Sequence, residues 1–388
     1  MKITVGRLLL AASLTLVPAG LALLYLLVEL TRALAPSLRA LAGGPYDGLK
    51  PYLALALLGS SLFLLLIYSL EQAAGHIFGL GAGLHMVKVK AEGAKPYGFT
   101  TGGLSRWVSF VVLGGGEDPE LERFVELHEE AHAKFKHPAK IWIVGAVMYG
   151  EMSALPSTYV ALGQLPQYIY VFSVALVATT AYLLFVLVRA LEIEADIYVF
   201  KNMGLKSHDL FVKLMKIRYG SWRQPLRSRL THTQGEFVLL LGDPIAAHAP
   251  WEHLLLLSAA SATALLPKLA ATFQPAYQNP VAYYLLLLLG TLILNYFLSL
   301  IGEHALRKMV KAKLTDRGYT NLARLTASAS FLMISLASLA SFPISIVIII
   351  LGFYIVYKII NIYIRNIYYV MLVYLIIAMI TAPWMLSI

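Results

Sequence analysis

The chain has 388 residues, 59% hydrophobic and only 13% charged, against roughly 25% charged in an ordinary soluble domain. With a mean hydropathy of +0.72 and several apolar runs of the roughly 18–20 residues that cross a bilayer, a water-soluble globule is excluded. The absence of cysteine removes disulfide frameworks, thiolate zinc sites and iron–sulfur clusters, so any transition metal must be held by His, Asp or Glu.

Taken in chain order, membrane spans are expected over 8–30, 52–70, 141–163, 167–188, 252–273, 281–301, 322–341, 343–358 and 367–387, about nine crossings in all. The first is too long for a signal h-region and lacks a small-residue cleavage site, which reads as a retained anchor. The third is the weakest, because it contains Glu151 and Pro156. These spans divide the chain into two helices in 1–70, a polar segment 71–140, a hairpin 141–188, a second polar segment 189–250, and a C-terminal region of about five helices in 251–388.

Basic residues gather in alternate connections: Lys88 to Lys140 between spans two and three, Arg189 to Arg229 between four and five, and Arg307 to Arg317 between six and seven. The positive-inside rule places these segments, and the N-terminus, in the cytoplasm. The formal charge of +10 is therefore a mark of membrane topology, and no nucleic-acid partner is expected. Segments 71–140 and 189–250 are long enough to build one small cytoplasmic lobe together.

Within the first polar segment, "WVSFVVLGG" (Trp107–Gly115) is rich in Val and Phe and reads as a β-strand. A helix is expected over 117–138, with Asp118 as N-cap, Pro119 at the first helical position, acids early, Lys134 and Lys136 late, and His137-Pro138 closing it. That helix carries "HEEAH". His128 and His132 are i and i+4, one above the other on one face, and two imidazoles so placed can reach one tetrahedral Zn²⁺ at about 2.0–2.1 Å. Glu129 stands beside the first ligand, where it can take a proton from a water that the metal acidifies.

A later segment reads "VRALEIEADIYVFKNMG" (Val188–Gly204). With the histidine motif before it and two spans between, it resembles the M48 metallopeptidase family of HtpX-like and Ste24-type integral-membrane proteases, which follow H-E-x-x-H with an R-x-x-E-x-x-A-D helix. Arg189, Glu192, Ala195 and Asp196 have that spacing. The resemblance implies a gluzincin-type α+β catalytic lobe, one Zn²⁺ per chain, Glu192 as third ligand, and Asp196 and Arg189 as supporting residues behind the ligands. An even number of crossings between His132 and Glu192 returns both to one face of the membrane. Glu194 is turned about 200° from Glu192 on a helix, and is expected to be dispensable.

Upstream, "KPYGFTTGG" (Lys95–Gly103) resembles the family's Pro-Asn-Ala-Phe-Ala-Thr-Gly segment at Pro96, Phe99, Thr101 and Gly102. The strand after it, Val108, Ser109, Phe110, Val111 and Val112, is by the same resemblance expected to hold an extended substrate through main-chain hydrogen bonds. His137 corresponds to a family histidine just after the zinc helix. The matching region is about 70–220, and the C-terminal spans fit no layout of that family. The chain departs from the family's usual motif at Glu130 and Ala131.

The reading is thus a multi-pass membrane endopeptidase acting on membrane or membrane-associated polypeptides at the cytoplasmic face. Two rivals stand beside it. One is a site-2-type intramembrane protease, which would embed the motif in a span. The other is a transporter or scaffold with a vestigial metal site, suggested by the extra spans.

Overall fold

The computed structural model describes residues 5–42, 48–79, 81–90, 95–113, 118–221, 244–247, 250–310, 314–339, 345, 347–352 and 354. Two long helices open it, α1 (Val5–Ala42) and α2 (Leu49–Phe78). Gly79 ends α2 in the left-handed region, at φ 64°, with its N–H turned back onto the carbonyls of Gly75 and His76, the closure a helix makes when glycine follows its last turn.

Three short strands follow: β1 (Gly83–Lys90), β2 (Tyr97–Gly102) and β3 (Arg106–Leu113). They form one sheet in the order β1-β3-β2, with β1 parallel and β2 antiparallel to β3. The turn from β2 to β3 requires Gly102, where φ is 152° and a Cβ would lie 2.1 Å from the Arg106 carbonyl oxygen. Glu71 on α2 fixes this turn by accepting from the N–H groups of Leu104 and Ser105, both at 2.8 Å, and of Arg106.

Next come α3 (Pro119–Lys134), α4 (His137–Leu162), α5 (Gln167–Met203) and α6 (Lys206–Tyr219). Asp118 caps α3 as the sequence indicates, its carboxylate accepting from Glu120 N–H at 3.0 Å. The helix does not run on to 138, however. It stops at Lys134, Lys136 takes a left-handed conformation (φ 57°), and His137-Pro138 open α4 instead of closing α3. Proline suits the first turn of a helix, where its missing N–H is not needed.

The rest is a 3₁₀ turn (Pro244–Ala247), α7 (Pro250–Thr272), the short α8 (Gln274–Gln278), α9 (Pro280–Met309) and α10 (Asp316–Ala337). Among the described residues, five helical stretches are long and apolar enough to cross a membrane: Val17–Ala42, Leu49–Ile77, Gln167–Met203, Trp251–Thr272 and Pro280–Met309. With a small sheet attached, this is the build of a helical membrane protein. The expected spans 141–163 and 322–341 are helical in α4 and α10 but are not among those five. Glu151 and Pro156 dilute the first, and Arg324 with a scatter of Ser and Thr the second. Half of the expected span 343–358, and all of 367–387, lies outside the described residues.

Three apolar cores hold these parts. One joins α1, α2, α4, α5 and α7 around Tyr52, Tyr168 and Phe172. Another joins α5, α7, α9 and α10 around Ala190, Leu257, Leu306 and Leu322. The third belongs to the lobe: Val111 and Leu113 of β3 pack with Phe124 and Leu127 of α3, Val199 of α5, and Phe211 and Leu214 of α6. Helix α5 contributes to all three. At 37 residues it is about 55 Å long, against a hydrocarbon core of about 30 Å. Its last turns therefore have length to spare beyond the bilayer, and they carry Glu192, Glu194 and Asp196.

Candidate metal centre

Helix α3 delivers two histidines and α5 a carboxylate to one point. His128 Nε2 lies 3.1 Å from His132 Nε2 and 3.2 Å from Glu192 Oε2, and His132 Nε2 lies 3.7 Å from the same oxygen. One small cation could touch all three. Behind this triangle, Asp196 Oδ1 sits 3.1 Å from His128 Nδ1, the placement that fixes an imidazole's tautomer and points its other nitrogen at a metal. The spacing of Glu192 and Asp196 on α5 explains the geometry, because i and i+4 residues share a helix face.

The electrostatics favour positive charge here. Burial alone would hold His128 neutral, but its hydrogen bonds to Asp196 and Glu192, and their charges, outweigh burial and raise its pKa well above the ordinary histidine value.

Glu129 points away from the triangle's base toward the sheet. Thr100 on β2 donates to its Oε2 at 2.7 Å, and Ser109 Oγ lies 2.8 Å from Thr100 Oγ1. Gly98 makes room for it: a Cβ there would come within 2.5 Å of both Cγ and Oε1 of Glu129. Of the three departures from the resembling family segment, at Tyr97, Gly98 and Thr100, the last two lie against Glu129. Reading the segment for its matches alone misses them.

The strand expectation needs correction. β3, with Val108, Ser109, Phe110, Val111 and Val112, is the central strand, paired to β1 on one side and β2 on the other. Its main-chain groups are spent within the sheet, and Ser109, Val111 and Val112 are buried. Richness in Val and Phe marks the strand that packs in the core, not the one at the rim. β2 is the strand that lines the cleft over the ligands, together with His128, Glu129, His132, Ile141, Trp142, Val188 and Glu192, in a volume of about 320 Å³. Trp142 on α4 anchors the end of β2 by donating to Gly102 O at 2.7 Å.

Two further groups surround the site. Arg218 on α6 donates through Nε to Pro96 O at 2.8 Å and lines a small cavity with Gly98, His128, Glu129 and Asp196. His137 lies with its Nδ1 2.8 Å from His132 Nδ1 and its Nε2 2.9 Å from Glu194 Oε2. Burial pushes its pKa down to about 4, so at neutral pH one of its ring nitrogens is free to accept. Arg189 follows the resemblance less closely: its Nε is buried without a hydrogen bond, and its electrostatic neighbours include Tyr182 and His253. Glu130 accepts from the Tyr198 hydroxyl at 2.9 Å.

Compared with known proteins, the chain matches no family model, no characterised protein and no solved structure. Its own geometry therefore carries the functional reading.

Proposed function

We propose that the protein is a zinc-dependent endopeptidase of the membrane surface, cleaving membrane or membrane-associated polypeptides on the cytoplasmic side. The observation that carries this is the convergence of His128, His132 and Glu192 with the Glu129 carboxylate between them and the rim of β2. Donors of a tetrahedral zinc with bonds of about 2.0–2.1 Å stand roughly 3.3 Å apart, and the three spacings here are 3.1, 3.2 and 3.7 Å. The residues fit the ion. The likeness of the His128–His132 and Arg189–Asp196 segments to the M48 pattern supports the same conclusion.

When bound, zinc would polarise the scissile carbonyl and acidify a water. Glu129 is the base that takes the water's proton and returns it to the departing amine. Thr100 holds one oxygen of that carboxylate, which leaves the other to work. β2 presents the rim along which an extended peptide can add as a further strand, so that main-chain bonds supply affinity with little demand on side chains. At the other side of the cleft, Ile141, Trp142, Val188 and Leu191 come from α4 and α5. A peptide lying there is close to the bilayer, which suits substrates already tethered to it. Helix α3 is polar and is not itself one of the apolar stretches, which favours a surface lobe over an intramembrane zinc site.

The test is metal content and hydrolysis measured on the same preparation. The purified full chain should hold one zinc and cut an unstructured peptide, and the double variant His128→Ala/His132→Ala should lose both. A wild-type chain that binds no zinc would remove the reading.

A further inference from the structure

The two histidine ligands are held differently. His128 rests directly on a carboxylate, Asp196. Among the described residues no carboxylate meets the outer nitrogen of His132; that nitrogen meets a third imidazole, His137, which in turn meets Glu194. We propose that His137 and Glu194 act as a relay that positions His132 toward the metal, so that Glu194 supports zinc binding without touching zinc. This rests on the metal reading above.

The proton positions follow from the contacts. His132 Nε2 faces His128 and Glu192 and needs its lone pair for a metal, so its hydrogen sits on Nδ1. That N–H donates to His137 Nδ1 at 2.8 Å, which must then be the unprotonated nitrogen of that ring. His137 accordingly carries its hydrogen on Nε2 and donates it to Glu194 Oε2 at 2.9 Å. Lys140 completes the line, its Nζ 3.2 Å from the same oxygen. Each imidazole has one donor and one acceptor, and the chain ends on a carboxylate, as supporting contacts to metal-bound histidines usually do in one step.

The backbone is bent to make this contact. In an unbroken helix, residue 137 would be turned about 140° from residue 132. Helix α3 stops short of that, and Lys136 takes a left-handed φ of 57°, the one non-glycine residue to do so among the described residues. Such a conformation is uncommon outside glycine and asparagine, and strained backbone gathers at functional sites. The turn brings the His137 ring edge-on to His132, with centroids 4.8 Å apart at 83°, and stacks its other face on Phe135. The side chain is 1% exposed. A residue that only opened a helix would not need this enclosure.

The experiment is a zinc affinity measurement on the purified full chain in detergent, by competition with a chromophoric chelator, alongside thermal unfolding of the zinc-free form. His137→Phe keeps a ring but cannot accept, and should weaken zinc by about 10–100-fold. His137→Gln offers an amide oxygen as acceptor and should recover most of that loss. Glu194→Ala should weaken zinc by about tenfold, the low end of the same range, with the zinc-free unfolding midpoint unchanged. Wild-type affinity in both Glu194→Ala and His137→Phe would overturn the relay while leaving the metal reading intact. Absence of zinc from the wild-type chain would overturn both. Should His137→Phe fail to fold, Glu194→Ala alone decides: weakened zinc supports the relay and unchanged zinc removes it.

Discussion

In the helical bundle most buried Ser and Thr hydroxyls turn back on their own helix, with Thr180 and Thr291 also reaching a neighbouring one, whereas in the lobe the polar groups around the site reach across to another element. Ser157, Thr158, Ser261, Thr326, Ser330 and Ser335 each donate to the carbonyl four residues before, at 2.7–2.8 Å. A bilayer offers no water to a stray polar group, so it must be satisfied within the protein, and the nearest carbonyl costs no alignment between helices. In the lobe, Thr100 donates from β2 to Glu129 on α3, His128 on α3 meets Asp196 on α5, and His137 on α4 meets Glu194 on α5. Bonds of the first kind keep a span soluble in lipid. Bonds of the second kind fix the relative position of elements, which is what a metal site needs. Deletions should therefore matter in the lobe and be forgiven in the bundle.

The largest effect is expected at Glu192, the third ligand in the proposed metal site. Glu192→Ala leaves a two-histidine site and should weaken zinc by more than the roughly 100-fold that loss of a supporting partner costs, as read by chelator competition. Retention of wild-type affinity would place the third ligand elsewhere.

Gly98→Ala comes next. The new methyl would displace the Glu129 carboxylate, with which it would overlap at 2.5 Å, while the three ligands are untouched. Zinc content should stay at one per chain and the turnover number should fall on the order of 100-fold, the scale of an ångström's misplacement of a reacting group. An unchanged rate would mean that this carboxylate need not be held where it is.

The bundle predicts smaller numbers, and they should separate by the kind of bond. Asn295 reaches across helices, its Nδ2 donating to Ser258 Oγ at 2.8 Å, and Asn295→Ala should lower unfolding stability in detergent by about 0.6 kcal/mol, the average for such bonds within membranes. Ser261→Ala removes only a bond to its own helix and should cost less than Asn295→Ala. If the two variants were reversed in rank, the distinction between local and cross-element bonds would fail.

How far the site could be read from sequence follows the same division. The cap at Asp118, the pairing of His128 with His132 and the placement of Asp196 depend on helical spacing within one element, and each is found where spacing puts it. The role of β3 depends on which strand stands in the middle of a sheet, and a strongly apolar strand is drawn inward by the core, leaving the weaker pattern of β2, with two glycines and two threonines, at the rim. His137 was expected to close a helix. Only the turn at Lys136, a tertiary matter, brings it back to His132. Glu194, turned from the ligands as helical geometry requires, still reaches the site through that histidine. The helices α4 and α10 are blurred as spans for a related reason: several of their polar residues, Thr158 and Thr326 among them, bond inside the bundle, by contacts that hydropathy does not register.

The central claim is that Glu129 does chemistry and the triangle beside it binds metal. Zinc content and peptide hydrolysis of Glu129→Gln, measured on one preparation, test it directly. Gln keeps the shape of the side chain and removes the base, so the account predicts one zinc per chain, as in wild type, with turnover reduced by at least about 100-fold. Full turnover in that variant, or loss of its zinc, would contradict the account.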